Sequence, residues 1–346
     1  MGSFETQARG LLGTIRTGHV AARALAVADS RVFVRALFLA SAVRLGVLGG
    51  LRHGRSFAEL VAVTRCTRPE RLRAWLSVGV ELHELDVRSD RYVVRGRRAR
   101  ALADGDPLLQ AHYRSMLDYQ SGAYDELASL LRADPSTGRV DLDEHAAVIA
   151  EVSLAAAPFV TPYLDRIVDE LRPGRALDVG CGTGVYVRAM LDADPLLTVD
   201  GIDLAAGVID DARERLQTAG LGNRANLVAG DIRSWEPDPA RRFDLVTLLN
   251  DVYYFPEPER AALYERLGGF LTDDGELVVV TMTRAGSIAS AHLHFMLACE
   301  AGAASLPERG EVPADLRRAG YVVVEDEALV PTEPFVAVRA RRAAPR

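Results

Sequence analysis

The stretch from 176 to 184 constrains the fold of this chain more than any other. It reads Ala-Leu-Asp-Val-Gly-Cys-Gly-Thr-Gly, so an apolar run is followed by three glycines at alternate positions. The apolar run predicts a buried strand, and residues 185–191 predict the start of a helix. A strand, a glycine turn and a helix form the geometry in which backbone approaches a ligand closely. The spacing D-x-G-x-G-x-G differs from the G-x-G-x-x-G of dinucleotide folds. Asp178, ahead of the first glycine, suits a cationic ligand with an amino-acid tail.

The next three predicted strands are 197–202, 225–231 and 243–250. Each ends at or just before a polar residue, and two of these residues are the acids Asp203 and Asp231. Taken singly, each of these acids is better explained as a helix cap or a turn residue. Together they lie at the carboxyl ends of parallel strands, where open α/β sheets bind ligands. Asp203 can accept hydrogen bonds from two ribose hydroxyls. Asp231 can accept one from an adenine amino group, and the aliphatic Ile232 behind it can cover the ring.

In combination, these motifs resemble the class I S-adenosylmethionine-dependent methyltransferases over roughly residues 143–346. The resemblance implies a Rossmann-like α/β sheet that is parallel except for one antiparallel strand near the chain end, where 321–324 and 335–339 predict a terminal pair. It implies S-adenosylmethionine as cofactor, with glycines along its methionine part, Asp203 at the ribose and Asp231 at the adenine. The cofactor-binding residues expected on this basis are Asp178, Gly180, Gly182, Gly184, Asp203, Leu204, Asp231, Ile232 and Asn250.

The N-terminal part shows a different pattern. Predicted helices at 31–48, 56–63 and 67–82 precede a hairpin at 85–94, and together they predict a winged helix. Such a module binds DNA or forms dimers. Arg68, Arg71 and Arg73 could meet phosphates, but nearby glutamates and the net charge of −7 argue against nucleic acid. The module resembles the N-terminal dimerisation domain of small-molecule O-methyltransferases, which implies a homodimer with a small-molecule substrate.

Three parts are therefore expected: a winged-helix dimerisation domain at 1–100, a helical connector at 101–142 and a cofactor-binding domain at 143–346. Helical stretches are predicted at 106–132 and 144–171, the second interrupted near Pro158 and Pro162. In the family resembled, such helices cover the active site, so Tyr119 is a candidate for substrate binding.

The candidate catalytic residues follow the fourth and fifth strands. In the O-methyltransferases that the chain resembles, a His-Asp pair follows the fourth strand and the histidine is the base. This chain has Asn250-Asp251 there, and an asparagine cannot take a proton. We therefore predict that no His-Asp dyad operates at this position. Tyr254 is expected to border the cleft and to contact substrate.

A substrate-facing helix is expected after the fifth strand, at 288–301, and it carries His292 and His294. Residues two apart point to different sides of a helix, so at most one histidine is expected to face the cleft. Glu308 falls where the family has a supporting glutamate. His294, Glu308 and Asp251 are the candidate catalytic residues, and His292 is a further candidate for substrate binding.

Three functions stay open from the sequence. Methyl transfer to an oxygen of a small molecule in secondary metabolism is favoured by the resemblance. A metal-assisted C-methyl transfer to a 2-oxo acid would use Asp251 with His294 or His292, but two ligands are too few to assign a metal site. The third is a DNA-binding or non-enzymatic protein that retains a methyltransferase-like fold. Neither an apolar run of membrane-spanning length nor a signal peptide is evident, and the three cysteines are scattered, so a cytoplasmic location is expected.

Overall fold

The computed structural model describes residues 18–132, 149, 152–238, 240–300 and 305–343. The chain divides into two compact units, Met1–Asp118 and Tyr119–Arg346. This division falls inside the predicted connector, and the three-part organisation remains our proposal. Within the described ranges, no helix is long and apolar enough to cross a membrane.

The first unit combines helices with a small antiparallel sheet. Its helices are α1 (Val20–Arg44), α2 (Leu48–Leu51), α3 (Phe57–Val63), α4 (Pro69–Glu81), α5 (Arg97–Ala103) and α6 (Pro107–Ser115). Its strands are β1 (Arg55–Ser56), β2 (Leu85–Arg88) and β3 (Arg91–Val94), in the order β1-β3-β2. Helices α3 and α4 and the hairpin thus occur where they were predicted, and we keep the winged-helix assignment as a proposal.

Two local signals explain where α3 and α4 begin. Ser56 accepts a hydrogen bond from the Glu59 amide (3.3 Å), and the Glu59 carboxylate accepts one from the Ser56 amide (2.6 Å). This is the predicted capping box, which satisfies amides that have no partner inside the helix. Pro69 occupies the first turn of α4, where its missing N–H costs nothing.

The predicted bounds of the first helix were wrong. It begins at Val20 instead of residue 31 and ends at Arg44, and the two glycines expected to end it lie in α2. The early turns of α1 carry exposed apolar side chains such as Leu25 and Val27, and its buried residues begin only at Phe38. Since hydrophobic periodicity reports a buried face, it cannot reveal turns that bury none.

The second unit is built on a seven-stranded sheet in the order β6-β5-β4-β7-β8-β10-β9. The strands are β4 (Arg175–Val179), β5 (Thr198–Asp203), β6 (Ala225–Ala229), β7 (Phe243–Leu249), β8 (Leu271–Met282), β9 (Tyr321–Ala328) and β10 (Phe335–Arg342). Strand β10 runs antiparallel to both β8 and β9, whereas the pairs from β6 to β8 are parallel. The predicted fold class, a parallel sheet with one antiparallel strand, is confirmed.

The helices of this unit follow the strands. They are α7 (Ser121–Asp125), α8 (Leu127–Leu130), α9 (Ala157–Leu171), α10 (Val185–Ala193), α11 (Ala206–Thr218), α12 (Glu257–Phe270), α13 (Ile288–Cys299) and α14 (Glu311–Arg318). A π-helical turn, Met116–Gln120, precedes α7. The expected interruption at Pro162 was wrong, since α9 continues through it. Pro162 removes one hydrogen bond near the start of α9, while the buried side chains beyond it hold the helix in place.

The core lies on both faces of the sheet. Alternate residues of β8 show this, because Val278 and Val280 pack in one apolar cluster and Leu277 and Val279 in another. The first cluster includes residues of α9, α10 and α11, and the second includes residues of α12 and α14. Both faces are covered, so the parallel strands are mainly apolar, and the polar residues that line the cavity follow the strand ends.

Candidate cofactor and active site

A cavity of about 450 Å³ opens at the carboxyl ends of β4, β5, β6 and β7. Its wall contains the segments that follow these four strands. The residues of these segments that line it are Gly180–Thr183, Asp203–Ala205, Gly230–Arg233, Asn250, Asp251, Tyr254 and Phe255. The ends of neighbouring parallel strands meet at one edge, and the sequence predicted a ligand site at this edge.

The glycine turn allows very close approach. Gly180 and Gly182 have φ angles of +69° and +48°, in the left-handed region that favours glycine. A Cβ atom on Gly180 would lie 2.4 Å from Cγ of Asp251. Gly184 also has a positive φ and lies directly before α10. A Cβ atom on Gly184 would lie 3.3 Å from the Cβ atom of Ala212. Gly184 is not among the described residues that line the cavity, so the geometry favours a role in the turn and in helix packing for it.

Asp203 holds the glycine turn. One of its carboxylate oxygens accepts a hydrogen bond from the Gly182 amide (2.9 Å), and the other accepts one from the Ala205 amide (2.9 Å). Each oxygen keeps a further lone pair, so the carboxylate can also accept bonds from two neighbouring hydroxyls. This is the geometry that the expected ribose contact requires.

Asp231 has a partner that the sequence reading missed. Arg233 donates to it through its backbone amide (2.9 Å) and through its guanidinium (2.8 Å), and Arg233 also lines the cavity. These hydrogen bonds hold the pKa of Asp231 below its usual range. The carboxylate therefore stays ionised and oriented beside Ile232, which is buried in the cavity wall. Leu204 also lines the cavity with a largely exposed side chain.

Several polar atoms are buried without a hydrogen-bond partner among the described residues. They include Nδ2 of Asn250 and the hydroxyl of Tyr186, which both belong to the cavity wall, and Oδ2 of Asp178. Asp178 is buried behind the wall, where its Oδ1 accepts a hydrogen bond from the Thr247 hydroxyl (2.6 Å). The side chains of Tyr186 and Asn250 interact with each other. The hydrogen-bonding capacity that they and Asp178 keep favours a polar ligand beside them. Tyr186, two residues after the last glycine, was not predicted.

The acids around the glycine turn repel one another. Burial first, and then the charges of Asp203 and Asp178, raise the pKa of Asp251 to about 8. Burial also raises the pKa of Asp178 to about 7, although the Thr247 hydrogen bond opposes the shift. A cation placed here would stabilise both carboxylates, so the electrostatics favour a positively charged ligand.

Comparison with known proteins gives the same assignment. A family model described as a methyltransferase domain matches residues 176–275. The chain is 32% identical to the aklanonic acid methyltransferase DauC of Streptomyces sp. over 180 residues, which cover 50% of this chain and 80% of that protein. The chain belongs to the class I S-adenosylmethionine-dependent methyltransferases. The family resemblance and the cofactor expected from the sequence are thereby confirmed.

Further relatives of this methyltransferase are more distant. The demethylspheroidene O-methyltransferase of Cereibacter sphaeroides is 26% identical over 265 residues, which cover 74% of this chain and 69% of that protein. Other curated relatives are matched over only 24% to 53% of their length. The solved structure of the mitomycin 7-O-methyltransferase MmcR superposes with a TM-score of 0.74 at 20% identity, covering 94% of this chain and 100% of that one. That likeness establishes the fold.

Helix α13 carries two candidates in different surroundings. Nδ1 of His292 is 2.8 Å from the Tyr124 hydroxyl, and its Nε2 is 3.1 Å from Oε1 of Gln120. Burial lowers the pKa of His292. Nδ1 of His294 is buried, with no hydrogen-bond partner in the described part of the chain. Of the candidates outside the strand ends, Tyr254 lines the cavity, whereas neither histidine is among its described lining residues. Tyr119 is not either, and it packs against the buried Met296 and Cys299 of α13.

Glu308 is not brought to the cavity. It is largely exposed and forms an ion pair with Arg284, with which it also forms a β-bridge. The run that contains it was matched to a family position by sequence alone, and the local chain path directs it to the surface. The geometry therefore favours Asp251 over Glu308 as an acid that acts in the cavity.

Within the described ranges, the structure groups no three His, Cys, Asp or Glu side chains that could hold a metal ion. Both ring nitrogens of His292 already have protein partners. A metal site that used His292 would therefore require it to give up one of these contacts, whereas one that used His294 would not.

Proposed function

We propose that this methyltransferase transfers the methyl group of S-adenosylmethionine to a small-molecule acceptor in secondary metabolism, with oxygen as the favoured acceptor atom. The observation that carries the proposal is the cavity at the strand ends, where a left-handed glycine turn, Asp203 and buried polar side chains converge. The names of the two relatives reported with their organisms support a small-molecule acceptor and a biosynthetic context.

The residues of the cavity suit the parts of this cofactor. Asp203 would accept the ribose hydroxyls, while Asp231, Ile232 and Leu204 would hold the adenine. The Asn250 amide and the Tyr186 hydroxyl would donate to the cofactor carboxylate, and Asp251, with Asp178 behind it, would offset its positive charges. When bound, the cofactor supplies an activated methyl group on a positively charged sulfur. The chain's own residues then orient the reactants and exclude water, as in-line displacement requires.

The proposal can be tested by removing the carboxylate that is expected to bind the ribose and measuring the affinity for the cofactor. Asp203→Ala should weaken S-adenosylmethionine binding ~5- to 100-fold, since removing a polar partner at a buried site costs ~1–3 kcal/mol. Isothermal titration calorimetry measures this loss. Asp210→Ala is the matched control, because Asp210 is exposed and pairs with Arg213 on the surface of α11. Equal affinities in wild type and Asp203→Ala would remove Asp203 from the site.

A second experiment on the same protein determines which class of acceptor is methylated. Methyl-labelled cofactor would be offered with a panel of hydroxylated aromatic compounds and a panel of 2-oxo acids. Label in the first panel supports O-methyl transfer, and label in the second supports C-methyl transfer. A protein that binds no S-adenosylmethionine would contradict the proposed function as a whole.

Cofactor binding should release a proton from Asp251. Its pKa of about 8 in the folded protein lies above the usual 3.8, so the carboxyl is largely protonated at neutral pH. A bound cation lowers that pKa. Calorimetry at pH 7 in buffers of different ionisation enthalpy should show up to ~1 proton released in wild type and less in Asp251→Asn. Buffer-independent heats in the wild type would contradict this prediction.

The free energy of unfolding of the cofactor-free protein should depend on pH through the same carboxyl group, that of Asp251. Because the folded protein binds the Asp251 proton more tightly than the unfolded chain, this group stabilises the fold fully below pH ~4 and loses its contribution as the pH rises through ~8. Asp251→Asn should therefore flatten the decline in the free energy of unfolding between those pH values.

We also propose that the methyltransferase is a homodimer formed through its first unit and that it does not bind nucleic acid. Large apolar side chains of α1 are exposed, among them Leu25, Val27, Val32 and Phe33. Exposed apolar side chains on a helix are typical of protein interfaces. The net charge of −7 supports the absence of nucleic-acid binding. A cytoplasmic location stays a prediction.

Changing this surface should change the oligomeric state. The double variant Val32→Glu with Phe33→Glu should shift the protein from dimer to monomer at micromolar concentration, because two charges per chain would be buried at the interface. Light scattering after size exclusion measures the mass. Leu196→Glu is the control, since Leu196 is 85% exposed and lies in the other unit. A wild-type monomer would contradict the proposal.

A further inference from the structure

Three side chains from two separate segments form a hydrogen-bonded chain. The Tyr124 hydroxyl is 2.8 Å from Nδ1 of His292, and Nε2 of His292 is 3.1 Å from Oε1 of Gln120. The rings of Tyr124 and His292 are nearly parallel, with centroids 5.7 Å apart and an interplanar angle of 11°. Gln120 ends the π-helical turn before α7, and such turns often occur at functional sites.

The partners determine which nitrogen of His292 carries the proton. The amide oxygen of Gln120 can only accept, so Nε2–H donates to it. Nδ1 of the neutral ring then has a free lone pair, and the Tyr124 O–H donates to it. Burial lowers the pKa of His292, which keeps the ring neutral at neutral pH, and no charged group in the described chain contributes to that shift.

The direction of these bonds makes the phenolic oxygen of Tyr124 an acceptor toward the outside. Its proton is directed at His292, and the residue as a whole is 56% exposed, which leaves room for a small molecule beside it. A hydroxyl group of a small molecule could therefore donate to this oxygen. The arrangement differs from a tyrosine that simply fills a core, whose oxygen would be enclosed.

Helix α13 connects the hydrogen-bonded chain of Tyr124, His292 and Gln120 to the wall of the cavity. Tyr254 lines the cavity, and its ring lies 4.9 Å from that of Tyr253. Leu293 and Leu297 of α13 pack against these tyrosines. The neighbouring face of the same helix carries His292 and the residues that pack on Tyr119 and Ala123. One helix thus contacts the cavity wall with one face and Tyr124 with the next.

We propose that Tyr124, His292 and Gln120 form a proton relay that deprotonates the hydroxyl group of the methyl acceptor. In this relay, the acceptor O–H gives its proton to the Tyr124 oxygen while the Tyr124 proton moves to Nδ1 of His292. The acceptor oxygen forms its bond to the methyl carbon as the bond from that carbon to sulfur breaks. The positive charge of the sulfonium ends as imidazolium on His292, which releases its proton to solvent.

In this relay Tyr124 is the catalytic residue, and His292 and Gln120 are positioning residues. The relay rests on the proposed function, since it takes an acceptor with an acidic hydroxyl. The relay would supply the general base that is missing after the fourth strand, where Asn250 cannot accept a proton.

The first experiment reads the tautomer of His292 directly. Nitrogen-15 spectra of the full-length protein with labelled histidine would be recorded at neutral pH, with His292→Gln to assign the signal. We expect a neutral ring with the proton on Nε2. Gln120→Glu should preserve this tautomer, because it keeps an acceptor, and Gln120→Leu should lose it. A proton on Nδ1 in the wild type would overturn the relay, since Tyr124 would then be an acceptor from His292.

The second experiment uses 4-nitrophenol, whose ionised form absorbs visible light. It would be added to excess protein saturated with S-adenosylhomocysteine, at a pH where the free phenol is mostly protonated. The wild type should raise the ionised fraction, and Tyr124→Phe and His292→Gln should lower that gain ~10-fold or more. Tyr92→Phe, in the first unit, is the control and should behave as wild type. No gain with the wild type, or an equal gain with Tyr124→Phe, would overturn the relay.

Calorimetry with S-adenosylmethionine separates this result from the fate of the proposed function. If the wild type binds the cofactor but does not ionise 4-nitrophenol, only the relay is wrong. If it does not bind the cofactor, the proposed function is wrong as well.

Discussion

Replacing Gly180 with alanine is expected to lower the affinity for S-adenosylmethionine ~30- to 5,000-fold. Two effects add. A non-glycine residue at a φ of +69° costs ~1–2 kcal/mol. The new methyl carbon would also lie 2.4 Å from Cγ of Asp251, so this buried carboxyl must move away from the turn. Displacing a buried polar group costs a further ~1–3 kcal/mol, which gives the expected total.

Calorimetry measures the loss, and Gly269→Ala provides the matched control. Gly269 lies in α12, its hypothetical Cβ meets no atom within 4 Å, and its φ is not positive. That variant should bind like the wild type and should be no less stable, since alanine favours a helix more than glycine does. An affinity of Gly180→Ala within threefold of the wild type would mean that neither the turn nor Asp251 is close to the cofactor.

The largest expected change in stability comes from Arg260→Leu. Arg260 in α12 is fully buried, and its guanidinium donates to the Phe255 carbonyl (3.1 Å) and to Glu311 (2.8 Å). A further hydrogen bond goes to the Ser305 carbonyl. Removing Arg260 leaves two carbonyls and the partly buried Glu311 carboxylate without their donor. Breaking a fully buried ion pair costs ~3–5 kcal/mol, which is the upper value here. Urea unfolding should show a decrease of up to this size in the free energy of unfolding.

Two variants check the cause. Arg241→Leu removes an exposed partner of Asp238, and we expect a change of no more than ~0.5 kcal/mol. Arg260→Leu combined with Glu311→Leu should recover part of the loss, because no buried charge is then left alone. If Arg260→Leu alone unfolds within 1 kcal/mol of the wild type, the ion pair contributes little. Phe255 lines the cavity, so a real loss should also weaken cofactor binding.

Reading the sequence succeeded where a local pattern carried the information. The glycine turn and the acids Asp203 and Asp231 follow apolar runs directly, and parallel strands bring their carboxyl ends to one edge. The capping box at Ser56 is equally local, since both of its hydrogen bonds close within three residues. Asn250, by lacking a basic nitrogen, also predicted that no His-Asp dyad follows the fourth strand, and this remains a prediction for experiment.

Contacts between segments that are distant in the chain could not be predicted from local sequence patterns. Tyr124 and His292 are separated by 168 residues, and no spacing rule predicts that they share a hydrogen bond. The same is true of Arg260 and Glu311, whose pairing depends on how α12 and α14 pack on the sheet. The two histidines of α13 looked equivalent in sequence, and only the neighbouring helices distinguish the paired His292 from His294.

The sequence by itself determined the family, the cofactor and the class of sheet, because each follows from residues close together along the chain. Only the tertiary structure decided the state of the acids and the direction of the side chains. The pKa of Asp251 is raised because the carboxyl is buried and lies near two other carboxyls. Glu308 lies on the surface because the path of the chain directs it outward. Burial and through-space charge are properties of the packed chain, so no local pattern can report them.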